Sequence, residues 1–136
     1  MITKTPKILT IKSDISELTN VEAFVNELFI SNNIPPKHFN NVLLCVSEAV
    51  VNSIQHGNKN DANKKVSIFA DCESETIVVK VKDEGDGFDF EDIPDPTLSK
   101  NLKNESGRGI HIIKALSEQI EYCNKSNSIQ FKIKCK

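Results

Sequence analysis

The chain has no Cys-x-x-Cys pair, no basic block, no G-x-x-x-x-G-K-[ST] element and no apolar run near the roughly 20 residues that span a bilayer. Each absence removes a class of protein. The four cysteines, Cys45, Cys72, Cys123 and Cys135, are widely spaced, with no histidine at ligand spacing beside them. Neither a zinc site nor a disulfide framework is indicated, and four thiols are expected. Lysines are spread along the chain and the formal net charge is −2, so there is no electrostatic footprint for nucleic acid. Met1 to Ser13 is charged and alternating, without the apolar centre of a signal peptide. A cytoplasmic address with no membrane partner is the expectation.

What is present is an ordinary globular composition over 136 residues, enough for one domain with a single two-layer core. Lys7 to Lys12 alternates as a strand. Ser13, Asp14 and Ser16 offer caps to a helix whose apolar residues run from Ile15 to Phe29 and which ends near Ser31-Asn32-Asn33. Pro35 and Pro36 open a second helix, from about Lys37 to His56, that stops at Gly57. Lys65 to Asp71 and Thr76 to Asp83 read as a hairpin joined through Cys72 to Glu75. A long acidic stretch follows, up to Gly107, and a loop of that length in a small domain points to function. Helical spacing from Gly109 to Ser117 and a closing strand pair, Gln119 to Cys123 and Ser128 to Lys134, complete the chain. The expected fold is an α/β (α+β) two-layer sandwich, with helices on one face of a mixed, mostly antiparallel sheet.

Three places break the local pattern. At about 100° per residue, the second helix puts Phe39, Val42, Leu43, Val46, Val50 and Ser53 on one side, and Asn41, Glu48, Asn52 and Gln55 opposite. This polar stripe holds a single carboxylate and no lysine, between Leu44, Cys45 and Val51. It reads either as a weakly exposed face or as a site wall, with Asn52 as a cation ligand and Glu48 as a base. Next, the apolar strand ends abruptly in Asp83-Glu84-Gly85-Asp86-Gly87-Phe88. An aspartate there can accept from an exocyclic amine while two glycines let a flat base approach. A calcium loop does not fit, since with Gly87 at its sixth position the end ligands would be Lys82 and Ile93. Third, Gly107-Arg108-Gly109 precedes a helix and contains the chain's sole arginine, a combination suited to phosphate oxygens. Taken singly, each also reads as a plain surface turn or face.

In this order, the three resemble one pattern. Glu48-Ala-Val-Val-Asn52 through His56-Gly57 is similar to the N box of the GHKL ATPase superfamily, Asp83 to Phe88 to its first glycine box, and Gly107-Arg108-Gly109 to its second. The likeness runs from Ile8 to Lys134. Within the superfamily it is strongest to stand-alone bacterial anti-sigma-factor serine/threonine kinases, through Ser47-Glu48-Ala49, His56-Gly57-Asn58, Pro94-Asp95-Pro96 and Ser106 to Gly109. The resemblance implies the Bergerat ATP-binding fold, with ATP and Mg²⁺ as cofactors. Asp83 would bind the adenine amine, with Gly85 and Gly87 beside it. Asn52 would hold Mg²⁺, and Glu48 would act as general base. Gly107, Arg108 and Gly109 would contact phosphates beneath a lid at residues 89–106. Implied partners are a sigma factor and an anti-sigma-factor antagonist protein, with a homodimer left open. A non-catalytic ATP-binding partner switch, or an orphan histidine-kinase-like domain, is the alternative. The family's Gly-Thr pair in the last strand is replaced here by Asn127-Ser128.

Overall fold

The computed structural model describes residues 7–85, 112–123 and 127–135. Strand β1 (Lys7–Lys12) leads into helices α1 (Leu18–Asn32) and α2 (Phe39–Asn52), then strands β2 (Lys65–Glu73) and β3 (Thr76–Lys82). A helical segment α3 (112–116) and strands β4 (Gln119–Cys123) and β5 (Ser128–Lys134) follow. The sheet order is β1-β2-β3-β5-β4, and every described pairing is antiparallel. The expected mixed sheet is thus antiparallel throughout the described residues.

Alternation explains which face is covered. Val66, Ile68 and Ala70 of β2, Ile77, Val79 and Val81 of β3, and Ile129, Phe131 and Ile133 of β5 are buried together with Val21, Val25 and Leu28 of α1. Val42, Val46 and Val50 of α2 and Ile113 of α3 join the same cluster. With a period of two, these strand residues share one face, so the helices lie on that face.

Helix ends follow local chemistry. Asp14 caps a 3₁₀ turn at Ile15–Glu17 by accepting from Ser16 N at 2.9 Å, and α1 proper starts three residues later than the caps suggested. At its other end Asn33 adopts a left-handed conformation (φ 53°), and Ile34 N donates back to Phe29 O at 3.0 Å. Phe29 and Phe39 meet edge to face across the Pro35-Pro36 turn, with centroids 5.3 Å apart.

The β2–β3 loop is tighter than the expected four-residue connection. Glu73 pairs with Thr76, leaving Ser74 and Glu75 as a two-residue turn with φ values of 48° and 67°. Positive φ at both positions suits Asn-Gly far better than Ser-Glu. Glu75→Gly is expected to raise stability by about 0.5–1 kcal/mol and the melting temperature by roughly 2–4 °C. The backbone bond from Cys135 N to Glu75 O (2.7 Å) would be kept. A thermal melt reads this directly, and an unchanged or lower midpoint would remove the strain argument.

Candidate functional site

Helix α2 carries two of the site's side chains. Its buried residues are Val42, Cys45, Val46, Ala49, Val50 and Asn52, with Phe39 and Leu43 packed at the margin. The covered face is therefore wider than the expected stripe, and Cys45, placed on the border, is inside it. From Asn41 to Asn52 burial rises along the polar stripe, and Gln55 beyond is half-buried. Asn41 is exposed, Glu48 is half-buried and Asn52 is 5 % exposed. Glu48 and Asn52, four residues apart, share one helical face with about 5–6 Å between Cβ atoms. Glu48 is close enough that its charge, after burial, helps push the Cys45 thiol up to about 11. That thiol stays protonated at neutral pH and is unreactive.

Asn52 ends the α-helical part of this segment. The next turn, Ser53–Gly57, is a π-helix, and Asn58 N donates to Ser53 O at 2.8 Å. The single helix expected from Lys37 to His56 is in fact a 3₁₀ turn (Pro36–His38), an α-helix and a π turn. The wider last turn sets Gly57 against the end of β3, a placement common at functional sites.

Asp83 lies there, 3 % exposed. A Cβ on Gly57 would stand 2.2 Å from Asp83 Oδ2, and one on Gly85 would stand 1.7 Å from Gly57 O. Only glycine fits at either place, and the Gly85 contact is with backbone that cannot swing aside. Asp83 Oδ1 accepts from Gly85 N at 2.8 Å. Burial pushes the Asp83 carboxyl above its ordinary range, while the Gly85 N–H and the charge of Lys64 act in the opposite direction. The result is a buried carboxylate at a glycine turn, one of its oxygens held by the backbone.

Asn52 supplies the test of fit for a bound group. Among the described residues, its side-chain nitrogen is buried without a hydrogen-bond partner. Buried amides are rarely left so. An amide turned over presents oxygen in place of nitrogen, so this position serves a phosphate oxygen or a hard cation equally. No cluster of three or more His, Cys, Asp or Glu able to hold a metal occurs among the described residues. Magnesium does not need one, since it is commonly held by one or two protein oxygens plus phosphates. The donor set fits that mode.

Of the residues expected at the site, Asn52, Asp83 and Gly85 are described as buried and Glu48 as half-buried; the Gly57 contacts bring the end of α2's chain onto the Asp83 turn. Gly87, Gly107, Arg108, Gly109 and the 89–106 lid lie outside the described residues. His56 is exposed. Two further residues, noted in the sequence only as the close of the helix, take part in the site. Gly57 touches Asp83, and Asn58, 1 % exposed, bonds to three separate segments. A polar residue directly after a helix-ending glycine looks like surface, so only its burial reveals it. All four cysteines stand outside disulfides. No helix among the described residues is long and apolar enough to cross a membrane.

Residues 11–133 match the family model described as the histidine kinase-like ATPase domain. Among curated relatives, the serine-protein kinase RsbW of Bacillus subtilis is 33% identical over 89 residues, covering 61% of this chain and 56% of the relative. The anti-sigma F factor of Oceanobacillus iheyensis is 37% identical over 78 residues, covering 56% and 53%. That of Geobacillus stearothermophilus is 35% identical over 92 residues, covering 64% and 63%. The chain thus spans a little over half the length of the curated relatives it matches. Two solved structures share the fold. The RsbU and RsbW domains of a Mycobacterium tuberculosis protein superpose with a TM-score of 0.65 at 15% identity, over 96% of this chain and 32% of that one. The Acinetobacter baumannii histidine kinase AdeS gives 0.51 at 17% identity, over 95% and 68%.

Proposed function

The chain belongs to the histidine kinase-like ATPase domain family, and from that premise we propose that it is an ATP-dependent serine/threonine-protein kinase acting as an anti-sigma factor. It phosphorylates a small antagonist protein in a cytoplasmic partner-switching system and otherwise holds a sigma factor. The observation that carries this reading is the side-chain nitrogen of Asn52, buried without a partner among the described residues, one turn beyond half-buried Glu48 on the same helix. A helix built for packing alone has no reason to bury an unsatisfied amide beside a carboxylate. The names of the curated relatives support the kinase and anti-sigma assignments.

Each residue then has a task. Asp83 accepts a hydrogen bond from the adenine amine, and Gly57 and Gly85 leave its carboxylate close to bare backbone. Asn52 holds Mg²⁺, which supplies neutralisation of phosphate charge when bound. Glu48 takes the proton from the attacking serine hydroxyl. Gly87, Gly107, Arg108 and Gly109 complete the nucleotide contacts beneath a lid at 89–106, all within one domain. Positioning and charge neutralisation dominate phosphoryl transfer, and this set of groups meets both needs.

The test is transfer of labelled γ-phosphate from Mg-ATP to an antagonist protein encoded near this chain's gene. Label on a serine or threonine of that protein is expected. Tight ATP binding with no transfer, and docking to the partner that ignores nucleotide hydrolysis, would replace the kinase with a non-catalytic switch.

A further inference from the structure

We propose that Asn58 is a positioning residue for base recognition, holding the Asp83-Glu84-Gly85 turn in register with the helix that carries Glu48 and Asn52. The inference rests on the ATP-site reading and extends it to a residue whose side chain is bonded within the protein. Asn58 begins just after the π turn, and its side chain is fully engaged. Nδ2 donates to Ser13 Oγ at 2.7 Å and to Lys65 O at 3.0 Å, and Oδ1 accepts from Glu84 N at 2.8 Å. One buried amide therefore joins the end of β1, the start of β2 and the turn after β3.

Among the described residues, four other hydrogen bonds support the turn. Asp83 N donates to Asn127 O at 3.0 Å, and Asn127 Nδ2 donates to Gly85 O. Asp83 itself takes Gly85 N, and Glu84 returns a carboxylate oxygen to Lys65 N. The backbone donors from Asp83 to Gly85 are thus all bound within the protein. Of these restraints, the Asn58 bond to Glu84 N comes from the π-turn side and falls between the carboxylate-bearing residue and the glycine. Losing it frees the middle of the turn, and Asp83 can then drift by the fraction of an ångström that weakens a hydrogen bond to a flat base. Ser13 is the internal control. Its Oγ donates to Lys64 O at 2.8 Å and accepts from Asn58, so it shares the network without touching the turn.

The experiment compares Asn58→Ala, Ser13→Ala and Asp83→Asn by thermal melting and by titration with ATP and with inosine triphosphate, which lacks the exocyclic amine. Asn58→Ala is expected to lower the melting temperature, weaken ATP binding about tenfold and reduce the preference for ATP over inosine triphosphate. Ser13→Ala is expected to lower the melting temperature while leaving ATP affinity and preference within about twofold. If Asn58→Ala does not fold, Asn58→Ser carries the same comparison, because its hydroxyl is too short to reach Glu84. A folded Asn58 variant with wild-type affinity and preference overturns the proposal, provided Asp83→Asn has lost ATP. Should Asp83→Asn also bind ATP normally, the ATP-site reading fails first and the positioning role falls with it.

Discussion

Glu48→Gln is expected to reduce phosphoryl transfer by about 10²–10⁴-fold while changing ATP affinity by no more than about twofold. Glutamine matches the shape of glutamate, so the half-buried position on α2 stays filled and the helix is undisturbed. What disappears is the capacity to take a proton. On the proposed assignment nucleotide binding rests on Asp83 and Asn52, one just after β3 and the other at the end of α2, so it should survive. The split between turnover and affinity is the signature. A single-turnover assay and a nucleotide titration on one preparation read it. Undiminished transfer in the variant would dismiss Glu48 as the base, and a parallel loss of binding would mean that it holds the site together instead.

The second large effect belongs to Asp83, and it has opposite signs in two measurements. Asp83→Asn should weaken ATP binding by about 30–150-fold, the equivalent of about 2–3 kcal/mol. Asp83 Oδ1 is occupied by Gly85 N, so an asparagine that keeps that bond turns its NH₂ toward the place where a base amine would sit. Two donors then face each other. Stability of the free protein should move the other way. Burial raises the folded carboxyl above its unfolded value. A raised acid stabilises below the unfolded value and loses that contribution as pH rises through the folded one, so at neutral pH the ionised group opposes folding. Asparagine removes that opposition, and the melting temperature at neutral pH should rise or hold while binding collapses. In the wild type the same shift should make ATP affinity decline on acidification sooner than an ordinary aspartate would allow. Unchanged affinity in the variant would break the pocket assignment.

These predictions depend on features of unequal legibility. Strands were readable because alternation is strictly local: β1, β4 and β5 fall on the expected residues, and β2 runs only two residues further. The hairpin turn was not, since Ser74 and Glu75 carry no mark of positive φ. Here the strand pairing imposes the turn. Helical spacing gives α2 but not the full width of its buried face. The wheel puts Cys45 on a border, whereas the packed fold buries it together with Ala49. The same wheel can group Glu48 with Asn52 and still say nothing of their different burial.

The candidate site divides along the same line. Residue type and order mark Asp83, Gly85, Glu48 and Asn52, because a polar helix stripe, an Asp-Gly turn after an apolar strand and a glycine turn before a helix, each ordinary taken singly, follow one another in one small domain. The replacement of Gly-Thr by Asn127-Ser128 was visible too, though its meaning was not. The fold shows that Asn127 braces the Asp83 turn through both its carbonyl and its amide. Only the tertiary structure could turn Gly57 into a contact of Asp83, Asn58 into a bridge among three segments and Asn52 into a buried amide whose nitrogen has no partner among the described residues. The physical reason is distance along the chain. Periodicity and turn chemistry act between near neighbours, so sequence by itself determined the elements and the residue types at the site. Burial and hydrogen-bond partnership join residues 26 to 45 positions apart here, and folding alone decides which of them meet.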